Sequence, residues 1–328
     1  MLYVRNVGVV GSGVMGSQIA EIFALNGYEV SLKDISKEYI EQGLTNIRKD
    51  LEELVSFQKT KAEREIKRIE EQDGIILTEQ QKESIRSKLR PTYDEKRVTD
   101  ALAKISPTET YEPFKEVDLV IEAIVEEVEE KKKLFRELDE HTSKHAILAS
   151  NTSTLSITEI ASSTKRRDRV VGTHFFNPPI TLPLVEVIPG LETSEDTLTD
   201  MIDFLSTLRN HRYPLLPIRV KEVPGFLVNR ILGAMLNEAF SLYEQGVASM
   251  RDIDQAMKAG AGMPMGPFEL SDLIGLDVLY HVEENMKKME GGFPITRPSQ
   301  IVRKMFYSGR YGRKTGRGFY DYSLQSTP

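Results

Sequence analysis

Hydrophobic and polar residues follow two distinct periods along the chain, and these periods predict strands in some segments and helices in others. Short, nearly continuous apolar runs, which are typical of buried strands, occupy 7–10, 117–125, 146–149 and the start of 170–186, and a further short strand is predicted over 29–32. The segments between them carry an apolar residue every three or four positions, as amphipathic helices do. Because strands and helices alternate, we expect these strands to be parallel, with right-handed crossovers.

The pattern changes at Val223-Pro224-Gly225, and beyond this point the chain is almost entirely helical in period. Turns rich in glycine and proline separate helices that are predicted over 226–244, 249–260, 267–274 and 277–289. We therefore expect a sheet domain over 1–218 and an all-helical domain over 219–328, with the boundary near 214–224. The basic, glycine-rich segment 309–322 is interpreted as a packed surface turn or a subunit contact rather than a phosphate loop.

A long charged segment interrupts the sheet domain at about 36–90. Its apolar positions recur every three or four residues, so we expect an inserted pair of helices that stands off the sheet. Lysines and acidic residues are balanced along it, which usually indicates a solvated face. The alternative is that some of its lysines contact substrate phosphates, with Lys49, Lys59 and Lys61 as candidates.

The first strand leads into a glycine-rich turn and a helix over 17–26, after which a second strand ends at Asp34. Strand, G-x-G-x-x-G, helix, strand and acid together form the dinucleotide-binding, or Rossmann, fingerprint. Gly11 makes the tight turn, Gly13 lets backbone N–H groups approach a pyrophosphate, and Gly16 lets the helix pack on the strand. Asp34 would accept hydrogen bonds from a ribose and repel a 2′-phosphate, so NAD is expected rather than NADP.

The composition narrows the choice of function classes. A chain of 328 residues is long enough for about two domains, and a net charge of −7 argues against a nucleic-acid binder. The absence of cysteine excludes disulfides and a cysteine nucleophile, and it fits a cytoplasmic protein. The histidines have no metal-ligand spacing, so no metal is expected. No apolar run reaches the ~18 residues that span a bilayer, so no membrane partner is expected.

Two apolar runs flank a proline-containing loop in the segment 170–186, and each contains one titratable residue. An antiparallel hairpin centred on Ile180 would place His174 directly opposite Glu186, with Cβ atoms roughly 5 Å apart. A buried carboxylate needs a partner, and it fixes the orientation of an imidazole ring, which gives an oriented general base. The alternative is a hydrogen-bonded core histidine beside a glutamate at a strand end.

Polar residues follow two further strands, at the edge where open α/β sheets bind ligands. Glu126 comes directly after the third strand, and Lys131 lies in the first turn of the next helix. Ser153 belongs to a polar loop after the fourth strand. Because the expected helix N-cap is Ser156, the Ser153 hydroxyl is available for a ligand. Glu122, inside its strand, is interpreted as a structural hydrogen-bond partner.

These segments together resemble those of the L-3-hydroxyacyl-CoA dehydrogenase family. The similar segments are GSGVMGSQIA at 11–20, ASNTS at 149–153, HFFNP at 174–178, VEVI at 185–188, PGFLVNR at 224–230, GPFEL at 266–270 and GRKTGRGFY at 312–320. They keep their order over nearly the whole chain, and only about 45–115 departs. The resemblance implies an α/β Rossmann domain, mostly parallel with antiparallel strands at the end and an inserted helical pair, followed by an all-α domain.

The same resemblance implies an activity and the residues that perform it. Such enzymes use NAD⁺ to oxidise the 3-hydroxyl of an L-3-hydroxyacyl-CoA reversibly. His174 would be the general base and Glu186 its orienting carboxylate. Ser153 and Asn229 would bind the substrate oxygens. The implied cofactor contacts are Gly11, Gly13, Val14, Met15, Gly16, Asp34, Glu126, Lys131, Ser153 and Asn177.

The resemblance also implies partners. They are a short-chain acyl-CoA substrate such as 3-hydroxybutyryl-CoA and a second copy of the chain, bound through the helical domain. Some family members continue into an enoyl-CoA hydratase domain, and 323–328 resembles the start of a linker, so such a domain or partner is also expected. Two alternatives stay open: a related NAD-dependent dehydrogenase of a free hydroxy or sugar acid, and a non-catalytic NAD-binding structural protein.

Overall fold

The computed structural model describes residues 3–288 and 299–323. The chain divides into two compact units, Met1–Glu222 and Val223–Pro328. Of the expected linker at 323–328, only Ser323 is among the described residues.

The first unit contains an eight-stranded sheet in the order β3-β2-β1-β4-β5-β6-β7-β8. The strands are Asn6–Val10 (β1), Glu29–Lys33 (β2), Ile105–Thr108 (β3), Leu119–Glu122 (β4), Ile147–Ser150 (β5), Val170–Phe175 (β6), Leu184–Pro189 (β7) and Leu216–Arg219 (β8). Neighbouring strands are parallel except β6 and β7, which pair antiparallel. The predicted mostly parallel sheet with antiparallel strands at its end is confirmed.

Strands β3 and β8 were not predicted. Each has four residues and contains a proline, Pro107 in β3 and Pro217 in β8. Proline removes a ladder donor and is confined to sheet edges, and both strands do lie at the two edges of the sheet. Their short, proline-interrupted sequences therefore carry no clear strand pattern.

Helices cover the sheet and form the insert. In the first unit they are Val14–Leu25 (α1), Lys37–Glu71 (α2), Glu79–Lys88 (α3), Glu95–Ala103 (α4), Val128–His141 (α5), Ile157–Ala161 (α6) and Glu195–Ser206 (α7). The inserted helical pair is confirmed as α2 and α3. The expectation that it stands off the sheet is wrong for the first half of α2, because Ile47, Leu51 and Leu54 are buried in the same core as the sheet. Helix α3 has no buried residue.

The second unit is helical, as expected. Its helices are Val228–Glu244 (α8), Met250–Ala261 (α9), Pro267–Ile274 (α10), Leu276–Lys288 (α11) and Gln300–Tyr307 (α12). The first four match the predicted helices within two residues at each described end, whereas α12 was not predicted. Its core is aromatic, with the rings of Phe240, Phe268 and Phe319 in mutual contact.

The glycine-rich segment 309–322 packs closely on α10. The carboxylate of Asp272 accepts a hydrogen bond from the backbone N–H of Phe319, at 2.8 Å. A Cβ atom on Gly312 or Gly318 would overlap Asp272, so only glycine fits at these two positions. The segment is therefore a packed turn, which is one of the two interpretations that the sequence favours.

A buried acid and a buried histidine join α1 to the segment that precedes β8. Glu21 is fully buried, and its Oε1 contacts Nε2 of His211. Burial raises the pKa of Glu21, and the nearby Asp50 carboxylate raises it further. Burial lowers the pKa of His211 to about 4. Burial therefore favours the neutral form of both side chains.

Glu21→Gln and His211→Gln are expected to change the pH dependence of stability in opposite directions. The folded pKa of Glu21 lies above its ordinary value of 4.5, so its contribution is lost as pH rises above that value. The folded pKa of His211 lies below its ordinary 6.5, so its contribution is lost as pH falls from 6.5 to about 4. Relative to the wild type, Glu21→Gln therefore gains stability at high pH and His211→Gln gains it at low pH.

Urea unfolding measured from about pH 4 to about pH 9 tests both substitutions, and each serves as the control for the other. One proton changes the free energy of unfolding by at most about 1.4 kcal/mol per pH unit. If both variants follow the wild-type pH profile in parallel, burial does not shift the pKa values of these two side chains.

Candidate active site

The glycine-rich turn between β1 and α1 leaves room for a pyrophosphate. Gly11 has a φ of +98°, and a Cβ atom there would lie 2.5 Å from the carbonyl oxygen of Ala123. A Cβ on Gly16 would overlap the carbonyl oxygen of Gly11, so α1 approaches the turn closely. A Cβ on Gly13 would meet nothing within 4 Å. That open space lies at the N-terminus of α1, whose N–H groups and dipole favour an anion.

Asp34 follows β2 and is held against the same turn. Its Oδ2 accepts hydrogen bonds from the backbone N–H and the hydroxyl of Ser12, at 2.6 and 2.8 Å, and its Oδ1 accepts one from Ile35 N, at 2.7 Å. A carboxylate has about four acceptor sites, so Asp34 retains capacity for ribose hydroxyls. Val14 in the turn is 58% exposed, whereas Met15 packs against the hydrophobic core. These residues fit the pyrophosphate and ribose of NAD.

His174 and Glu186 form a buried pair across the antiparallel strands β6 and β7. The register places them directly opposite each other, as predicted, and Nδ1 of His174 lies 2.8 Å from Oε2 of Glu186. The Glu186 side chain is fully buried, and the ring of Phe176 contacts the imidazole, with 4.5 Å between ring centroids. Because an ionised carboxylate only accepts hydrogen bonds, Nδ1 donates. Nε2 is then the nitrogen that can take up a proton.

Glu126 organises the loop that follows β5. Its Oε1 accepts hydrogen bonds from the Thr152 hydroxyl at 2.6 Å, from Ser153 N at 2.8 Å and from Thr154 N at 3.1 Å. The carboxylate thus fixes the backbone position of Ser153. The sequence placed Glu126 and Ser153 at the same edge of the sheet, but it gave no indication that one positions the other.

Lys131 is buried between two carboxylates. Its Nζ lies 2.5 Å from Oε1 of Glu122 and 3.3 Å from Oε2 of Glu126, and its side chain is 1% exposed. Glu122 also accepts hydrogen bonds from Ile124 N, at 2.7 Å, and from the Ser150 hydroxyl, at 2.6 Å. The structural role expected for Glu122 is confirmed. Lys131 contacts Glu126 from the buried side and ties it to the ends of β4 and β5.

The loop after β5 is joined to the strand that carries His174. The side-chain oxygen of Asn151 accepts a hydrogen bond from Phe175 N, at 2.9 Å. Within the described residues the Ser153 hydroxyl has no hydrogen-bond partner, and Asn177 is exposed three residues beyond His174. The ends of β4, β5 and β6 thus bring the predicted groups of the first unit to one edge of the sheet.

The remaining candidates lie elsewhere. Asn229 is in the first turn of α8, in the second unit. In the insert, Lys59 pairs with Glu95 at 2.7 Å, Lys49 lies 3.9 Å from an exposed glutamate one turn along α2, and Lys61 is exposed. The charged face of the insert is therefore largely self-compensated, and no lysine is singled out as a phosphate ligand.

Three neighbours of the site were not foreseen from the sequence. They are Ser12, Asn151 and Thr152, which bind Asp34, the backbone of β6 and Glu126 respectively. Their only sequence signal is that they lie in loops directly after strands.

In residues 3–288 and 299–323, no cluster of three acidic or histidine side chains could hold a metal ion. None of the described helices combines the length and apolar character needed to cross a bilayer.

A parallel sheet with a pyrophosphate-binding turn and a histidine at its carboxyl edge defines an NAD-dependent oxidoreductase. The model of the family described as 3-hydroxyacyl-CoA dehydrogenase, NAD binding domain, matches residues 6–76 and 73–223. The model of the C-terminal domain of the same family matches residues 225–322. The chain belongs to the 3-hydroxyacyl-CoA dehydrogenase family, which confirms the resemblance seen in the sequence.

Similar proteins match the chain over nearly its full length. A 3-hydroxybutyryl-CoA dehydrogenase of Clostridioides difficile is 41% identical over 321 residues, covering 97% of this chain and 99% of that protein. The mitochondrial hydroxyacyl-coenzyme A dehydrogenase of Homo sapiens is 39% identical over 321 residues, with 98% and 92% covered. The crystal structure of (S)-3-hydroxybutyryl-CoA dehydrogenase from Ralstonia eutropha matches with a TM-score of 0.79 and 36% identity, with 98% and 99% covered.

Glu122→Gln and Lys131→Met are each expected to destabilise the protein by about 3–5 kcal/mol. The first leaves buried Lys131 with only its longer contact to Glu126, and the second leaves the buried Glu122 carboxylate without its ammonium. The double substitution is expected to cost less than the sum of the two, since neither charge of the pair then remains. Urea unfolding of the four proteins measures this coupling. Glu112→Gln, which breaks the exposed pair between Glu112 and Lys115, is the control and should change little. Additive effects at Glu122 and Lys131 would contradict the pairing.

Proposed function

We propose that this chain catalyses the reversible, NAD-dependent oxidation of short-chain L-3-hydroxyacyl-CoA thioesters, such as 3-hydroxybutyryl-CoA, to 3-ketoacyl-CoA. The observation that carries the proposal is the buried pair of His174 and Glu186 at the carboxyl edge of an NAD-binding sheet. Membership of the family supports the thioester class. The names of similar proteins, which are 3-hydroxybutyryl-CoA dehydrogenases, support the short acyl chain.

His174 is the general base of the proposed reaction. Oxidising a secondary alcohol to a ketone removes a proton from oxygen and a hydride from carbon, and bound NAD⁺ supplies the hydride acceptor. Nε2 of His174 takes the hydroxyl proton, while Nδ1 keeps its hydrogen bond to Glu186. The carboxylate stabilises the imidazolium that forms and keeps the ring in place. In the reverse direction the imidazolium returns the proton to the carbonyl oxygen.

The cofactor would lie along the carboxyl edge of the sheet. The open space at Gly13 and the N-terminus of α1 would hold the pyrophosphate, and Asp34 would accept hydrogen bonds from the adenosine ribose. Glu126 and Asn177 would line the nicotinamide half. Lys131 would act through Glu126, because its ammonium is buried beneath that carboxylate.

The substrate oxygens need hydrogen-bond donors where charge develops during the reaction. We assign this role to the Ser153 hydroxyl and to the Asn229 amide. Ser153 suits it because Glu126 fixes its backbone while its hydroxyl has no bond to another described residue. Asn229 suits it because it sits in the first turn of α8, within the family segment PGFLVNR.

Turnover assays test the reaction and the role of His174 together. The wild type is expected to oxidise NADH with acetoacetyl-CoA and not with free acetoacetate. His174→Gln is expected to lower kcat by ~10²–10⁴-fold, the usual contribution of a general base, and to leave the Kd for NADH nearly unchanged. His145→Gln is the matched control, because the His145 side chain is 65% exposed, and it should keep wild-type turnover.

Each contrary outcome of these assays has a distinct meaning. Activity on the free acid alone would favour a dehydrogenase of free hydroxy acids over the thioester enzyme. Tight NADH binding with no reduction of either substrate would favour a non-catalytic NAD-binding protein. Full turnover by His174→Gln would remove this histidine from the mechanism.

We further propose that residues 219–328 form a dimerisation domain that binds a second copy of the chain. Large apolar side chains are exposed on three of its helices: Ile231 on α8 at 64%, Leu273 on α10 at 51% and Val278 on α11 at 43%. A second copy packed on this domain would remove these side chains from water, which favours association. Sedimentation equilibrium should give the mass of two chains for the wild type and a lower mass for Ile231→Glu. A monomeric wild type would contradict the proposal.

A further inference from the structure

Lys33 is a buried cation at the end of β2, beside the proposed adenosine end of the cofactor site. Only 7% of it is exposed. Val30 and Leu32 of the same strand belong to the core that includes α1, so the alternation of a strand directs Lys33 to the opposite face of the sheet. There its ammonium lies over the ring of Tyr111, 4.5 Å from the ring centroid.

The ammonium of Lys33 has no carboxylate partner among the described residues, which distinguishes it from the other buried cations there. Lys131 lies between two carboxylates, and Arg166 pairs with Asp139 at 2.6 Å. Lys33 has only the face of Tyr111. A cation–π contact offsets part of the cost of placing an ammonium in a buried side chain, and no described residue supplies a hydrogen-bond acceptor to its three N–H donors. An acceptor from a ligand would complete the site.

Three acidic residues line a cavity with Lys33: Glu130 is exposed, whereas Asp34 and Glu137 are engaged with other donors. Asp34 accepts hydrogen bonds from Ser12 and from its own neighbour in the chain. Glu137 accepts a hydrogen bond from the Tyr111 hydroxyl, at 2.6 Å. Burial raises the pKa of Tyr111, and the bond to Glu137 raises it further, so this hydroxyl stays protonated and continues to donate. Tyr111 is thereby fixed as a neutral aromatic support under the ammonium.

A cavity of about 130 Å³ lies above this arrangement, and Lys33 and Tyr111 line it together with Gly11 and Asp34, the proposed pyrophosphate and ribose contacts. Its apolar lining residues are Val10, Ile35, Ile124 and Leu134. Glu130, Lys133 and Glu137 also line it, so the cavity suits a ligand that has an apolar face and polar groups at its edge. An adenine ring has these properties, since its ring nitrogens accept hydrogen bonds in the plane of an apolar π-system.

We propose that this cavity holds the adenine base of the dinucleotide and that Lys33 recognises it by donating a hydrogen bond to a ring nitrogen. Lys33 is thus a specificity-determining residue for the adenine half of the cofactor. The inference rests on the proposed position of the ribose at Asp34. A 2′-phosphate is the less suitable acceptor, because it would be placed against the Asp34 carboxylate.

Lys33→Met removes the ammonium and keeps most of the apolar stem. It is expected to raise the Kd for NADH by about 10- to 100-fold, as for a lost hydrogen bond to a charged group. Binding is followed by NADH fluorescence, without turnover. Reduced nicotinamide mononucleotide, which lacks the adenosine half, should bind the variant and the wild type equally. Lys133→Met is the matched control, because it removes the same charge from an exposed lysine on the same cavity, and its effect should be below about twofold.

Two results would overturn the inference: an unchanged Kd for NADH in Lys33→Met, or equal weakening of NADH and of the mononucleotide. A loss confined to NADPH would also overturn it, since Lys33 would then serve a 2′-phosphate. Asp34→Ser distinguishes a wrong role for Lys33 from a wrong position of the ribose. It should reduce the preference for NADH over NADPH whatever the role of Lys33. An unchanged preference in Asp34→Ser would reject the placement itself. These readouts use binding alone, so they do not depend on the proposed acyl-CoA reaction.

Discussion

The buried carboxylate of Glu186 is the constraint on which the candidate site depends. A carboxylate inside a sheet is stable only with a partner, and the antiparallel register of β6 and β7 places His174 directly opposite it. This pair of strands is the antiparallel step in an otherwise parallel described sheet. The fold and the chemistry therefore share one requirement, because the register that satisfies the acid is the register that orients the imidazole.

Carboxylates that pair with donors from distant segments also fix the loops at the carboxyl edge of the sheet. Glu122 and Glu126 come from the end of β4, and between them they bind a lysine of α5, the last residue of β5 and the loop beyond it. Each acid is satisfied by donors from a segment that is distant in sequence. As a result the backbone of Ser153 is held by the partly buried carboxylate of Glu126, although Ser153 lies in a loop.

The sequence predicted those features that depend on local pattern. The glycine turn, the ends of the helices α8 to α10, the parallel strands and the pairing of His174 with Glu186 follow from periodicity, capping and the symmetry of a hairpin. The start of α1 does not, because it begins at Val14 and the sequence predicts Ser17. The sequence did not predict β3 and β8, because their own residues have little strand character. These two strands form by pairing with β2 and β7. Nor did it predict the partners of Glu126 or the burial of Lys33, because partner choice between distant loops is decided by tertiary packing.

Lys33 and Lys131 differ in how far the protein compensates their charges. Both lie at the carboxyl edge of one sheet and both are almost inaccessible, so sequence position and exposure do not distinguish them. What differs is compensation: Lys131 has two carboxylates, whereas Lys33 has an aromatic face and a cavity. A fully compensated charge contributes to the scaffold and gains nothing from a ligand. An incompletely compensated one favours the liganded state, because the ligand supplies the acceptor that the protein lacks.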